Sequence, residues 1–365
     1  MSRVFDRFGL VFSGGGARGA YEVGVAKYLA EHNYEPSAYS GASIGALNAV
    51  LLGTAPTFRE GITRLEQIWR SIQQDEIVKL DPGAFALVML HALGARVLHS
   101  HPQLAILGSL YQLAKDNITF LGNISDVSNK MQNNSMYASL QKGLLDDGFL
   151  RKLLNDELEL DKMTYRVPIW ISAYRSRGTT NDILAYLLSS SGIKDNPESD
   201  YFEFAKIPSE ERLQVILASA AIPVVYGSHI VKGKHYVDGG VGGQRTARGN
   251  TPLAPLVQNG FKQCIVVNLS DGSMFNRHEL PDANVIEIRP KKSLHPKGIA
   301  SSLLDFREER IEELMALGYE DAKRCISNSV AAMELVGESR RSEDMREEAI
   351  KVLDSDGFEE VIGKL

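Results

Sequence analysis

Four glycines, Gly14, Gly15, Gly16 and Gly19, fall within six positions of "GLVFSGGGARGAY", after an apolar run that reads as a strand and before a helical pattern. So bare a backbone between strand and helix suits close approach to a ligand or to a neighbouring segment. The pattern G-x-G-x-x-G is one fingerprint of a dinucleotide-binding turn, and a glycine-rich strand-to-helix loop can cradle any anion. A dinucleotide fold also places Asp or Glu at the end of its second strand. Here that place holds Gly41, Ala42 and Ser43. The turn therefore reads better as a cradle for a transient oxyanion, with the amides of Gly15, Gly16 and Ala17 open to an acyl oxygen.

Strand and helix patterns alternate along the chain. "GLVFS" precedes the helical "AYEVGVAKYLAEHN", and "SAYSG" leads into "ASIGALNAVLLG" and the amphipathic "FREGITRLEQIWRSIQ". Further strands are expected at "YRVPIWISAY", "NDILAYLL", the hairpin "HIVKGKHYV", "QCIVVNLS" and "NVIEIRP". This alternation predicts an α/β sheet covered by helices. Residues 85–145 are rich in Leu, Ala, His and Asn without a strand pattern. They read as a helical insertion, either a layer of the core or a lid against lipid. The expected division is one domain over 1–335 and a charged helical extension over 336–365, whose mixed signs suit a solvated face or a contact between copies.

The net charge of −6 gives no overall attraction to nucleic acid. "MSRVFDRF" lacks a signal-peptide core, and no apolar run reaches the roughly 18 residues of a membrane span, so a cytoplasmic protein is expected. Two cysteines, Cys264 and Cys325, argue against a disulfide framework or a cysteine zinc site. No metal-ligand cluster such as H-E-x-x-H occurs, and neither metal nor cofactor is expected.

"GASIG", Gly41 to Gly45, matches G-x-S-x-G where the second strand enters a helix. Gly41 and Gly45 free a sharp turn of side chains, and Ser43 lies at the amino end of a helix, where developing negative charge is favoured. A serine needs a base. The eight histidines are scattered, and His235 lies in a hairpin strand. Asp238, in "YVDGGVGG", ends that strand before glycines that let a carboxylate meet a second loop. A carboxylate near its reference pKa of about 3.9 is a weak base, so such a dyad needs close geometry and exclusion of water.

The "SGGGARGAY" loop, "GASIG" downstream, and a distant "VDGG" preceded by "ASAAIP" together resemble the patatin-like phospholipase family in order and spacing. The resemblance spans about Phe8 to Asn268, apart from the insertion, with "ALGYEDAKR" similar to the family's closing helix. It implies a three-layer sandwich around a mainly parallel sheet, Ser43 as nucleophile, Asp238 as its base and the loop Gly14 to Gly19 as oxyanion hole. The implied activity is metal-independent hydrolysis of fatty-acyl esters of phospholipids or other lipids, with transient contact with a membrane surface. Bacterial members include secreted toxins and cytosolic effectors switched on by cyclic nucleotides in antiviral defence, so a small-molecule activator is an open expectation.

The chain departs from the family where "GGQRTARG" separates Gly240 from "NTP", Asn250 to Pro252. Arg245 and Arg248 on that loop are candidates for a lipid phosphate, against a solvated role. Arg18, at a position where the family carries Lys or Arg, has two readings: contact with the substrate phosphate, or fixing of the glycine loop. A triad esterase using His235 and a non-catalytic lipid-binding protein stand as alternatives, with dinucleotide binding a third.

Overall fold

The computed structural model describes residues 7–72, 148–158, 165–190, 195–197, 199–223, 226–270, 275–296 and 302–355. The 85–145 insertion lies outside them. In chain order the strands are β1 (Phe8–Phe12), β2 (Ala38–Ala42), β3 (Ile169–Arg175), β4 (Asp200–Glu203), β5 (His229–Val231), β6 (Lys234–Asp238), β7 (Gln263–Val267) and β8 (Asn284–Ile288). The helices are α1 (Ala20–Glu31), α2 (Ile44–Gly53), α3 (Phe58–Ser71), α4 (Gly148–Glu157), α5 (Thr179–Ser190), α6 (Ser209–Ser219), α7 (Ala254–Gln258) and α8 (Glu308–Ser355).

The strands form one sheet in the order β5-β6-β3-β2-β1-β7-β8, with β4 also paired to β3. Its centre, β3-β2-β1-β7-β8, is parallel, while β4, β5 and β6 run antiparallel to their neighbours. Strand alternation sends side chains to both faces, and both faces are buried, which explains the near-continuous apolar runs of β1 and β7. Leu10, Phe12, Tyr39, Ile169, Ile171, Ile265 and Val267 pack on one side with α1, α2, α3 and the inner part of α8. Val11, Trp170, Cys264 and Val266 face the other side, against Leu253, Leu256 and Phe261 around α7. Tyr174 and Val237 continue that second face under Ala185 and Tyr186 of α5. The result is a three-layer α/β sandwich.

"NDILAYLL" is a correction: it lies in α5 rather than in a strand. A short apolar run cannot distinguish a strand from a buried helix segment. Here the preceding loop decides, because Asp182 in the first turn accepts the Arg177 amide at 2.8 Å and the Ser176 hydroxyl at 2.5 Å. The hairpin "HIVKGKHYV" turns through Lys232 and Gly233 at positive φ, 48° and 71°, the geometry of a tight two-residue connection.

α8 runs unbroken across the expected boundary at 335. Its inner half buries Ile311, Leu314, Met315, Ala322 and Ile326, whose spacing makes one helical face. Beyond Val330 its described side chains are exposed, including Leu335, Val336, Met345 and Ile350.

Candidate active site

The sheet register brings the candidate residues together. Phe12 pairs with Gly41, Ala42 with Ser172, and Ala173 with Asp238. The parallel strands β1 and β2 end at the same edge, so the glycine loop after β1 lies beside the turn after β2. The antiparallel β6 descends to end level with that turn, with β3 between them. Two strand spacings, about 10 Å between backbones, separate Ser43 from Asp238 before their side chains lean together.

Ser43 adopts φ 55° and ψ −129°, a strained conformation for a residue with a side chain, and caps α2. Its turn is tight enough that a Cβ on Gly41 would meet the Gly45 carbonyl, and one on Gly45 would meet the carbonyls of Phe12 and Ser13. The glycine loop rests directly on Ser43, since a Cβ on Gly14 would lie 3.0 Å from the Ser43 Cβ. Gly16 combines φ 57° with close contact to the Leu303 carbonyl, so glycine is required twice over.

The loop's donors divide into engaged and open ones. The Gly14 amide donates to the Asn250 carbonyl at 3.2 Å, and the Arg18 amide donates to Gly15 O at 3.3 Å. The amides of Gly15, Gly16 and Ala17 have no acceptor among the described residues; Gly16 and Ala17 open a short 3-10 turn ending at Gly19. Arg18 fixes the loop: its Nε donates to Gly15 O at 3.0 Å and its Nη1 to Leu269 O at 3.2 Å. The same guanidinium borders the cleft beside His295, with Nη1 3.0 Å from the ring Nε2.

Asp238 is 3% exposed. Its Oδ1 accepts the Gly240 amide at 2.7 Å, whereas Oδ2 is buried with no partner in hydrogen-bonding geometry among the described residues. Burial pushes the carboxyl from 3.8 up to about 6, and the neighbouring Ser43 hydroxyl and Gly240 amide partly offset the rise. The Ser43 hydroxyl and the Asp238 carboxyl thus lie within influence of each other without a completed hydrogen bond. They line one cleft with Gly14, Gly15, Arg18, Tyr186, Ile222 and Asn250.

His235 faces elsewhere. Alternation along β6 puts it and Asp238 on opposite faces, and its Nδ1 lies 3.0 Å from the Ser228 Oγ. It lines a separate cavity of about 300 Å³ with Ser176, Asp182 and Tyr226. Arg248 pairs with Glu279 at 3.7 Å and Arg245 sits exposed on the same loop; neither lines the cleft.

Sequence reasoning missed the supports. Asn250 Nδ2 reaches Gly14 O and Gln244 Oε1, both at 3.1 Å, tying the glycine loop to the loop after β6. Asn48 donates to Gly19 O at 3.1 Å and to Glu22 at 2.8 Å, while Trp69 donates to Asn48 at 3.0 Å. Burial raises the Glu22 carboxyl well above the usual carboxylate range. Ser219 Oγ accepts the Ser43 amide at 2.9 Å. The quoted "ASAAIP" contained that serine, but nothing local assigned its partner. Among the described residues no three His, Cys, Asp or Glu side chains gather as metal ligands, and no helix is long and apolar enough to cross a membrane.

No curated protein sequence gives a significant match. Among solved structures the chain is similar to VipD from Legionella pneumophila, at 17% identity over 88% of this chain and 67% of that one, with a TM-score of 0.40. It is also similar to the type III effector ExoU, at 15% identity over 88% of this chain and 53% of that one, with a TM-score of 0.36. ExoU is described elsewhere in complex with SpcU from the Pseudomonas aeruginosa type III secretion system. This chain therefore spans about half the length of ExoU. The family model for patatin-like phospholipases matches residues 10–257, from within β1 into α7, and so includes the glycine loop, Ser43, Asp238 and Asn250, while Leu269 and His295 of the cleft lie beyond it. On that match the chain belongs to the patatin-like phospholipase family.

Proposed function

We propose that this protein is a serine acyl-ester hydrolase of phospholipase A type, with Ser43 as nucleophile and Asp238 as its base. The observation that carries the reading is the convergence of three features in one cleft. They are a strained serine, an overlying glycine loop whose amides are open among the described residues, and a buried carboxylate whose Oδ2 has no hydrogen-bond partner among them.

In this reaction Ser43 Oγ attacks the ester carbonyl carbon and its proton passes to Asp238. The carbonyl oxygen becomes an oxyanion held by the Gly15 and Gly16 amides; each such donor is worth about 10²–10³ in rate. Collapse breaks the ester bond, and Asp238 returns the proton to the departing alcohol oxygen. Water then attacks the acyl-serine with Asp238 again taking the proton, and the fatty acid leaves as Ser43 is restored. Burial supports this role, because a carboxyl raised toward neutrality is a better base than an exposed one.

The test is fatty-acid release from mixed phospholipid vesicles with a calcium chelator present. Wild type is expected to release it and Ser43→Ala is not; activity that survives Ser43→Ala would overturn the assignment. Because Asp238 acts when ionised, kcat/KM should rise with pH through an apparent pKa of about 6, measured as a pH profile on a soluble ester. A flat profile from pH 4.5 to 8 would count against Asp238 as base.

Activation by a small molecule such as a cyclic nucleotide, action at the cytoplasmic membrane surface and association between copies extend the same proposal. Arg245, exposed, and Arg248, half-buried beside Glu279, are its candidates for lipid phosphate outside the cleft.

A further inference from the structure

The last turn of α6 and the residues after it touch both halves of the dyad. Ser219, fully buried, accepts the Ser43 amide at 2.9 Å and donates its own proton to the Ser172 carbonyl at 2.6 Å. Two residues on, the Ala221 carbonyl accepts the Asp238 amide at 2.9 Å. Ser172 lies in β3, the strand that separates Ser43 from Asp238. One short segment, 219–221, is therefore bonded to the nucleophile's main chain, to the intervening strand and to the base's main chain.

Hydrogen-bond capacity makes this arrangement specific to a hydroxyl. Oγ must accept from one amide and donate to one carbonyl at once, which an alanine cannot do and a hydroxyl does with a single rotor. The Ser43 amide belongs to a residue at φ 55°, so it has no place in the α2 ladder and needs an outside acceptor.

We propose that Ser219 is a positioning residue for hydrolysis: its hydroxyl clamps the strained Ser43 turn to the segment that holds Asp238, and so fixes the separation of nucleophile and base. The inference rests on the reading of Ser43 and Asp238 as the dyad. A misplacement of about 1 Å at such a pair can cost about 100-fold in rate.

The experiment measures kcat and KM on a soluble ester, together with the rate of Ser43 labelling by a fluorophosphonate, in wild type, Ser219→Ala and Ser219→Thr. Ser219→Ala is expected to lower kcat and the labelling rate about 100-fold with KM within about threefold. The acid limb of its profile should move to higher pH as the Ser43 hydroxyl withdraws from Asp238. Ser219→Thr, which keeps the hydroxyl, should recover most of both rates. A folded Ser219→Ala with wild-type kcat and labelling overturns the inference and leaves the dyad standing. Wild type that turns over while labelling at a residue other than Ser43 overturns the dyad, and the inference with it. If Ser219→Ala does not fold, the near-isosteric Ser219→Cys is read by the same criteria, and wild-type rates in it likewise overturn the inference.

Discussion

Asp238→Asn is expected to lower hydrolysis about 10⁴-fold, the upper range for loss of a general base, while raising the melting temperature at pH 8. The activity loss follows because an amide cannot take the Ser43 proton. The stability gain follows from linkage. Burial lifts the carboxyl from 3.8 to about 6, so between those values the folded chain holds a proton that the unfolded chain has released. The stability from this group is full below about pH 3.8 and is lost as pH rises through about 6. That span corresponds to about 3 kcal/mol. Asparagine retains an oxygen for the Gly240 amide and carries no charge to desolvate. The difference in Tm between variant and wild type should therefore be small at pH 4, widen through pH 6 and level off above it. A wild type more stable than the variant at pH 8 would show that the carboxylate is paired rather than stranded.

Gly24→Ala is expected to cost more than about 4 kcal/mol, or to leave no cooperative transition in urea. α1 and the inner half of α8 cross with their backbones in contact. A Cβ on Gly24 would overlap the Met315 carbonyl, and one on Gly318 would overlap the Tyr21 carbonyl. Neither obstacle is the far end of a flexible side chain, so relief requires the helices to separate. Separation would also strain the Tyr21 hydroxyl bond to Asp321, 3.1 Å long, and reopen the layer formed by Val23, Leu314 and Met315. A loss below about 1 kcal/mol by denaturant titration would show that the two helices can slide apart cheaply.

Much of this architecture was legible because its signals are local. β1, the glycine loop and α1 are contiguous, and so are β2, Ser43 and α2, so each motif carried its own strand-to-helix context. Asp238 was legible as a strand end before glycines, but its proposed role as the base of Ser43 was implied by the family resemblance rather than by spacing. "NDILAYLL" failed because its apolar run satisfies either periodicity, and Ser176 and Arg177 in the preceding loop decide the outcome. β4 is only four residues long and carries no clear alternation. Arg18 could be narrowed to two roles from the sequence; it bonds Gly15 and Leu269 while also bordering the cleft. Ser219 was opaque for a different reason: its partner Ser43 is 176 positions away. No local pattern encodes a bond of that range.

The positive φ of Ser43 bears on how such a chain would drift over generations. On conformational grounds glycine suits that position better than serine, and on electrostatic grounds asparagine suits position 238 better than aspartate. Mutation unguided by catalysis would thus find stabilising exits from the proposed dyad at both places. A copy of this fold released from its chemistry should lose these two residues early and keep its core, while one that holds both is resisting the easier path.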